Sequence, residues 1–169
     1  CFVIGHVGRF MKQKNHEFLI DIFNEVLKQR NNAKLLLIGD GNLKSLIEAK
    51  VKNLGIEKAV IFLGVRNDVA DLYNAMDVFI LPSLYEGLPV VGVEVQANGL
   101  PFICSDKVTD EILLTNNIKL LSLRQPKTEW CSAIINAERK EIVNNEDILL
   151  KNFDIKSESR KLENLYLKF

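Results

Sequence analysis

Two carboxylates frame the stretch with the most chemical content. In Pro82-Ser83-Leu84-Tyr85-Glu86-Gly87-Leu88-Pro89-Val90-Val91-Gly92-Val93-Glu94, the acids are separated by residues that include a glycine and a proline. An apolar run from Asp77 to Leu81 leads into the segment, and Pro82-Ser83 ends it, because proline donates nothing to a strand ladder. Pro89 suits the first position of a helix, where its missing N–H costs nothing, and Gly99 suits the stop after Asn98. Glu86 then stands on the loop at the mouth of a helix, with Glu94 about two turns inside it. A helix mouth offers unpaired N–H groups and a partial positive charge, which together bind phosphate. Carboxylates beside it would repel a bare phosphate but accept hydrogen bonds from hydroxyls. A phosphate group with sugar on both sides, the outline of a nucleotide sugar, satisfies both features. A plainer account stands beside it, with Glu86 favouring the helix dipole and Glu94 solvated. Against that account, Glu94 is a lone charge in the apolar run Val90 to Val95.

The other candidate residues lie on loops. Gly8 permits close backbone approach after a first strand-like run. Behind it, Arg9 offers a planar fork of donors and Lys14 a point charge, both suited to a diphosphate, whereas Lys12 reads as surface. Gly39-Asp40-Gly41-Asn42 is a strand-to-helix turn without the third glycine of a dinucleotide fingerprint, and Asn42 is its expected cap. Asn67 or Asp68 is the expected cap of the helix after Gly64-Val65-Arg66. The only histidines, His6 and His16, have no Ser or Cys nucleophile partner by pattern, which argues against catalysis by them. No Asp-x-Asp and no His/Cys cluster occurs, so no metal site is expected. Trp130 reads as a core or interface residue in place of a stacking platform, and Cys104 as a buried small hydrophobe.

These loops must be positioned by something, and strand and helix signals alternate along the whole chain. Strands are expected at Phe2 to Val7, Lys34 to Ile38, Ala59 to Leu63, Asp77 to Leu81, Pro101 to Ser105 and Ile118 to Leu123. Helices are expected at His16 to Arg30, Leu43 to Leu54, Asp68 to Ala75, Pro89 to Asn98, Thr128 to Glu138, Glu146 to Asn152 and Ser157 to Leu167. Short apolar strands separated by helices describe an α/β domain, a Rossmann-like doubly wound parallel sheet of about six strands. Ligands in such sheets bind beyond the carboxyl ends of the strands, where the candidate loops lie.

The length of 169 residues predicts a single domain, 1–169. Equal numbers of acidic and basic residues give no basic face for nucleic acid. No apolar run reaches the roughly 20 residues of a membrane span. Three scattered cysteines, Cys1, Cys104 and Cys131, form neither a metal motif nor a disulfide framework and suggest a cytoplasmic setting. Residue 1 is Cys and opens directly into a strand, as in a fragment whose upstream part is absent.

The Glu86-x7-Glu94 spacing, with Pro82-Ser83 before it and Gly99-Leu100-Pro101 after it, resembles the motif of retaining glycosyltransferases of the GT-B fold, family 4, and the likeness runs from about Val3 to Leu167. The resemblance implies the C-terminal, donor-binding half of such an enzyme, with the N-terminal acceptor domain absent from this chain. It implies transfer of a sugar from a UDP- or GDP-linked donor to an acceptor, with retention and without a bound metal or other cofactor. Residue by residue, Arg9 and Lys14 fall on the positions that contact the donor pyrophosphate, Glu86 on the one that holds the transferred sugar and Glu94 on the one that holds the ribose. The N–H groups near Gly87, Leu88 and Val90 would face phosphate or sugar, Gly8 would lie close to the donor, and Val65 and Arg66 would lie beside the base. Arg9, Lys14 and Glu86 are thus the expected catalytic set. The expected setting is bacterial polysaccharide synthesis in the cytoplasm, with peripheral membrane contact through the absent half, and the isolated fragment is expected to be inactive. Two other readings stay open: a non-catalytic nucleotide-sugar-binding module and, less well supported, a Rossmann oxidoreductase domain.

Overall fold

The computed structural model describes residues 1–139, 153 and 155–167. Six strands form one fully parallel sheet: β1 (Phe2–Val7), β2 (Ala33–Ile38), β3 (Val60–Gly64), β4 (Val78–Leu81), β5 (Phe102–Ser105) and β6 (Ile118–Leu121), in spatial order β3-β2-β1-β4-β5-β6. Between them run α1 (His16–Gln29), α2 (Lys44–Asn53), α3 (Val69–Tyr73) and α4 (Val90–Ala97), followed by α5 (Lys127–Ile135) and α6 (Ile155–Tyr166). The strand order reverses between β1 and β4, so that pair is the switch point of a doubly wound sheet.

Strand side chains alternate between two cores. Ile4, Leu35, Val78, Ile80 and Ile103 face α1, α2 and α5, where Phe23, Ile22, Val51 and Trp130 are buried. Ile38, Phe79, Leu81, Phe102 and Cys104 face α3 and α4 with Tyr73 and Val95. Apolar residues on both faces are what a sheet covered on both sides requires. Trp130 is fully buried and donates its indole N–H to the Ser122 carbonyl at 3.2 Å, which decides between core and interface in favour of the core. Cys104 is fully buried, and burial pushes its thiol up to about 12.

Several expected boundaries and caps differ in the structure. Pro89 is extended (φ −74°, ψ 119°) and precedes α4 instead of beginning it. Asn42 does not cap α2, whose first flanking residue is Leu43. Asp68 does flank α3, but its side chain caps nothing, because Arg66 holds the carboxylate. The helix expected to end at Glu138 stops at Ile135, where Asn136 turns its amide onto the Ser132 carbonyl at 2.9 Å. Gly99, at φ +74°, ends α4 as expected. The expected helix at Glu146 to Asn152 lies outside the described residues. The apolar side chains of α6, including Leu162, Leu165 and Tyr166, are exposed. No described helix is long and apolar enough to cross a membrane.

Candidate functional site

The loops after β1 and β4 meet because those strands are neighbours at the switch point. The β1 loop is first fixed to the β2 loop: Gly8 N–H donates to the Ile38 carbonyl at 2.9 Å and Phe10 N–H to the Asp40 carbonyl at 3.0 Å. Gly39 makes this approach possible. It holds φ +133°, and a Cβ there would lie 2.3 Å from the Gly8 carbonyl oxygen. Asn15, in the left-handed region at φ 55°, then turns the chain into α1 and donates its amide to the Pro82 carbonyl at 3.1 Å. Leu84 N–H donates to the Gln13 carbonyl at 2.8 Å. From the other side, Glu86 N–H donates to the Lys107 carbonyl at 3.1 Å, and Ser105 Oγ donates to the Ser83 carbonyl at 2.5 Å. Segments from β1, β4 and β5 therefore fix the backbone at Glu86.

The Glu86 carboxylate is equally well held. Lys14 Nζ donates to Oε1 at 2.6 Å, Ser83 Oγ to Oε1 at 2.9 Å and Gln13 Nε2 to Oε2 at 3.2 Å. The side chains of Lys14 and Glu86 are 16% and 9% exposed, so water screens this pair less than a surface ion pair. The Lys14 stem passes over Gly8, its Cδ 3.2 Å from where a Cβ would stand. Below lies His6, fully buried, with Nδ1 2.8 Å from the Ile80 carbonyl and therefore assigned as the donor. His16 packs edge-on against His6, with ring centroids 4.6 Å apart, and stacks on Phe10. Burial, the largest cause, and the nearby Lys14 charge lower His6 to about 4, although its bond to Ile80 opposes them; burial, then His6 and Lys14, lowers His16 to about 2. Both rings are neutral at neutral pH. His6 Nε2 and both His16 ring nitrogens have no partner among the described residues.

Two adjoining clefts open along the carboxyl ends of the strands, sharing Val7 and Val69. One, of about 440 Å³, is lined by Gly8, Arg9, Gly39, Asp40, Gly41, Val65 and Arg66. Arg9 is exposed and makes no ion pair among the described residues. Arg66 is engaged by Asp68 through Nε at 2.8 Å and Nη2 at 2.5 Å. The other cleft, of about 700 Å³, is lined by Tyr73, Val91, Glu94 and Asn98 with the loop at Asn67. There Tyr73 donates its hydroxyl to Glu94 Oε2 at 2.7 Å. Burial and the carboxylate raise the Tyr73 phenol well above its ordinary value, so it stays a donor. At the α4 mouth the N–H groups of Gly87, Leu88, Val90 and Val91 make no hydrogen bond among the described residues, whereas Gly92 N–H already bonds the Pro89 carbonyl.

Gly8, Arg9, Val65 and Arg66 therefore share one cleft, and Glu94 lines the next. Lys14 and Glu86 are bound to each other, and neither is among the residues lining those clefts. Glu86 is held by donors from the β1 loop and Ser83, while Glu94 lines the neighbouring cleft. Gly87, Leu88 and Val90 are exposed at the helix mouth between them. Sequence reasoning missed Gln13, Tyr73 and the role of Ser83. The Ser83-x-x-Glu86 spacing was a legible sign that the two side chains could meet. Nothing local joins Tyr73 to Glu94. Among the described residues no group of three potential metal ligands occurs.

The sequence model of the family described as Glycosyl transferases group 1 matches residues 1–139. EpsF of Bacillus subtilis, named as a glycosyltransferase, is 41% identical over 140 residues, covering 80% of this chain and 35% of EpsF. The Escherichia coli UDP-Gal:alpha-D-GlcNAc-diphosphoundecaprenol alpha-1,3-galactosyltransferase is 28% identical over 179 residues, covering 98% of this chain and 45% of the enzyme. Among solved structures, Anabaena HepE in complex with UDP-glucose superposes with a TM-score of 0.82 at 22% identity, covering 99% of this chain and 49% of HepE. That likeness concerns the fold, a Rossmann-like sheet of the GT-B glycosyltransferases. The chain spans between a third and a half of the length of these proteins.

Proposed function

The chain belongs to the glycosyl transferases group 1 family, and from that premise we propose that it is the donor-binding half of a retaining hexosyltransferase using a UDP- or GDP-linked sugar. The observation that carries this reading is the convergence at the switch point. An arginine with no ion pair among the described residues, a lysine–glutamate pair and an open helix mouth lie next to a cleft with a second, tyrosine-bonded glutamate. Val65 and Arg66 flank the base, Glu94 accepts from the ribose hydroxyls, and Gly8, Arg9 and Lys14 meet the diphosphate. The unpaired N–H groups of Gly87, Leu88 and Val90 take phosphate or sugar oxygens.

The chemistry is electrostatic. As the bond from the anomeric carbon to the diphosphate oxygen breaks, negative charge grows on the leaving group. Arg9, Lys14 and the helix mouth stabilise that charge more in the transition state than in the ground state. Glu86 orients the sugar hydroxyls and steadies positive charge at the ring. Its two oxygens already accept three hydrogen bonds, which suits an orienting carboxylate better than a nucleophile.

The acceptor belongs to a second, N-terminal domain that this chain does not contain, and through it the enzyme touches the membrane. The lipid-linked sugar in the Escherichia coli relative's name supports a place in bacterial polysaccharide synthesis. Unpaired cysteines fit a cytoplasmic site of action. Without that domain the chain binds donor and transfers nothing.

Calorimetric titration of the chain with UDP, GDP and NAD tests the reading. Binding of UDP or GDP, with none of NAD, is the expected result. Binding of NAD alone would overturn it in favour of an oxidoreductase domain.

A further inference from the structure

Gln13 is bonded to the Glu86 loop through both its backbone and its side chain. Its carbonyl accepts the Leu84 N–H at 2.8 Å, and its amide Nε2 donates to the Tyr85 carbonyl at 3.0 Å and to Glu86 Oε2 at 3.2 Å. Lys14 and Ser83 both donate to the other oxygen, Oε1. Among the described residues Gln13 is thus the one side-chain donor on Oε2. The last torsion of a glutamate is broad, so donors on one oxygen alone leave the carboxylate plane free to turn. Lys14 adds little direction, since an ammonium acts as a point charge. Of the donors on Glu86 it is also the one a diphosphate would attract most strongly, and charge drawn toward phosphate weakens its hold on Oε1. A neutral amide responds far less to an arriving anion.

We propose that Gln13 is a positioning residue that fixes the plane of the Glu86 carboxylate, keeping Oε2 oriented for the hydroxyls of the transferred sugar while the Lys14 ammonium is shared with the donor diphosphate. The proposal rests on the reading of Glu86 as the acid that grips the sugar. It assigns Gln13 no contact with the donor. Gln13 acts through Glu86, so its loss leaves nucleotide affinity intact and lowers the rate at which the sugar bond breaks.

The test uses the full-length enzyme that carries this chain, with UDP-glucose as the donor probe and UDP release as the readout. Gln13→Ala should keep UDP affinity within about twofold, measured by calorimetry, and lower kcat by about tenfold with a smaller change in KM. Gln13→Glu should lose more at about pH 8, where the introduced carboxylate faces Glu86. That loss should shrink as pH falls toward about 5, because the introduced carboxyl group donates again once protonated; the Gln13→Ala loss should show no such recovery. Unchanged kcat in both variants overturns the proposal. So does a parallel loss of UDP affinity and melting temperature without pH recovery, which marks an ordinary structural residue. Glu86→Ala in the same assay separates this idea from the reading beneath it. If Glu86→Ala is inactive while Gln13→Ala is unimpaired, only the role of Gln13 fails. If Glu86→Ala is fully active, the sugar grip of Glu86 fails and the positioning role with it.

Discussion

Replacing His16 by Phe should make the fold less sensitive to acid, by an amount that follows from its surroundings. His16 is 3% exposed, stacks on Phe10 at a centroid distance of 4.2 Å, and has no partner for either ring nitrogen among the described residues. Burial, with His6 and Lys14 nearby, lowers it from 6.5 to about 2. The unfolded chain therefore takes up a proton as pH falls through 6.5, while the folded chain does not until about 2. The unfolded state binds more protons across that window, so stability is complete above pH 6.5 and is lost as pH falls. Between about pH 7 and about pH 4.5 this one residue should remove roughly 2 to 3 kcal/mol, near one proton's worth per pH unit. Phe keeps a planar aromatic ring, though a larger one, cannot titrate and leaves no orphan nitrogen. At pH 7 removal of the orphan nitrogens and the added ring volume oppose each other, so His16→Phe should stay within about 1 kcal/mol of the parent. Its advantage over the parent should then grow by roughly 2 to 3 kcal/mol on acidification to about pH 4.5. Carboxylates and His6 titrate in both proteins and cancel in the difference. Urea unfolding of both chains at several pH values measures it directly. A difference that stays constant with pH would refute the reasoning, since it would mean that His16 is protonated, or is exposed, in the folded state.

Gly39→Ala should destabilise the chain by about 3 kcal/mol, because φ +133° and a carbonyl oxygen 2.3 Å from the new Cβ must both be accommodated; chemical denaturation reads this, and a loss below about 0.5 kcal/mol would contradict the close approach of the two loops. Glu94→Ala should weaken UDP binding by about 10- to 100-fold and Tyr73→Phe by about fivefold, as expected for losing a charged acceptor and then its neutral donor; equal affinities by calorimetry would remove Glu94 from the ribose site. Arg9→Ala in the full-length enzyme should lower kcat by about 100-fold, on the order of 3 kcal/mol of barrier, with a smaller change in KM; steady-state kinetics that show only a raised KM would make Arg9 a ground-state contact.

The alternation of apolar strands and amphipathic helices was legible because each element is written in its own residues. All six strands fall where the apolar runs place them, and the α1 face with Leu19, Ile22, Phe23 and Val26 is the buried one. Gly99 was readable as a stop because only a residue without a Cβ takes φ +74° at low cost. Caps were less legible. Asn42 and Asp68 are good capping types, yet neither side chain caps. The Asp68 carboxylate went to Arg66 because a charged fork two residues away outcompetes a backbone N–H.

By itself, the sequence determined the class of fold, the end of the sheet at which the candidate loops gather and the helix mouth after Glu86, since all of these follow from local pattern and from the handedness of parallel connections. Tertiary structure alone decided which functional groups meet. Lys14 and Glu86 stand 72 residues apart and touch because β1 and β4 are neighbours, and Tyr73 and Glu94 stand 21 apart and touch because α3 and α4 cover the same face. Strand order minimises exposed apolar surface over the whole domain, a quantity to which every residue contributes and that no short window of sequence contains.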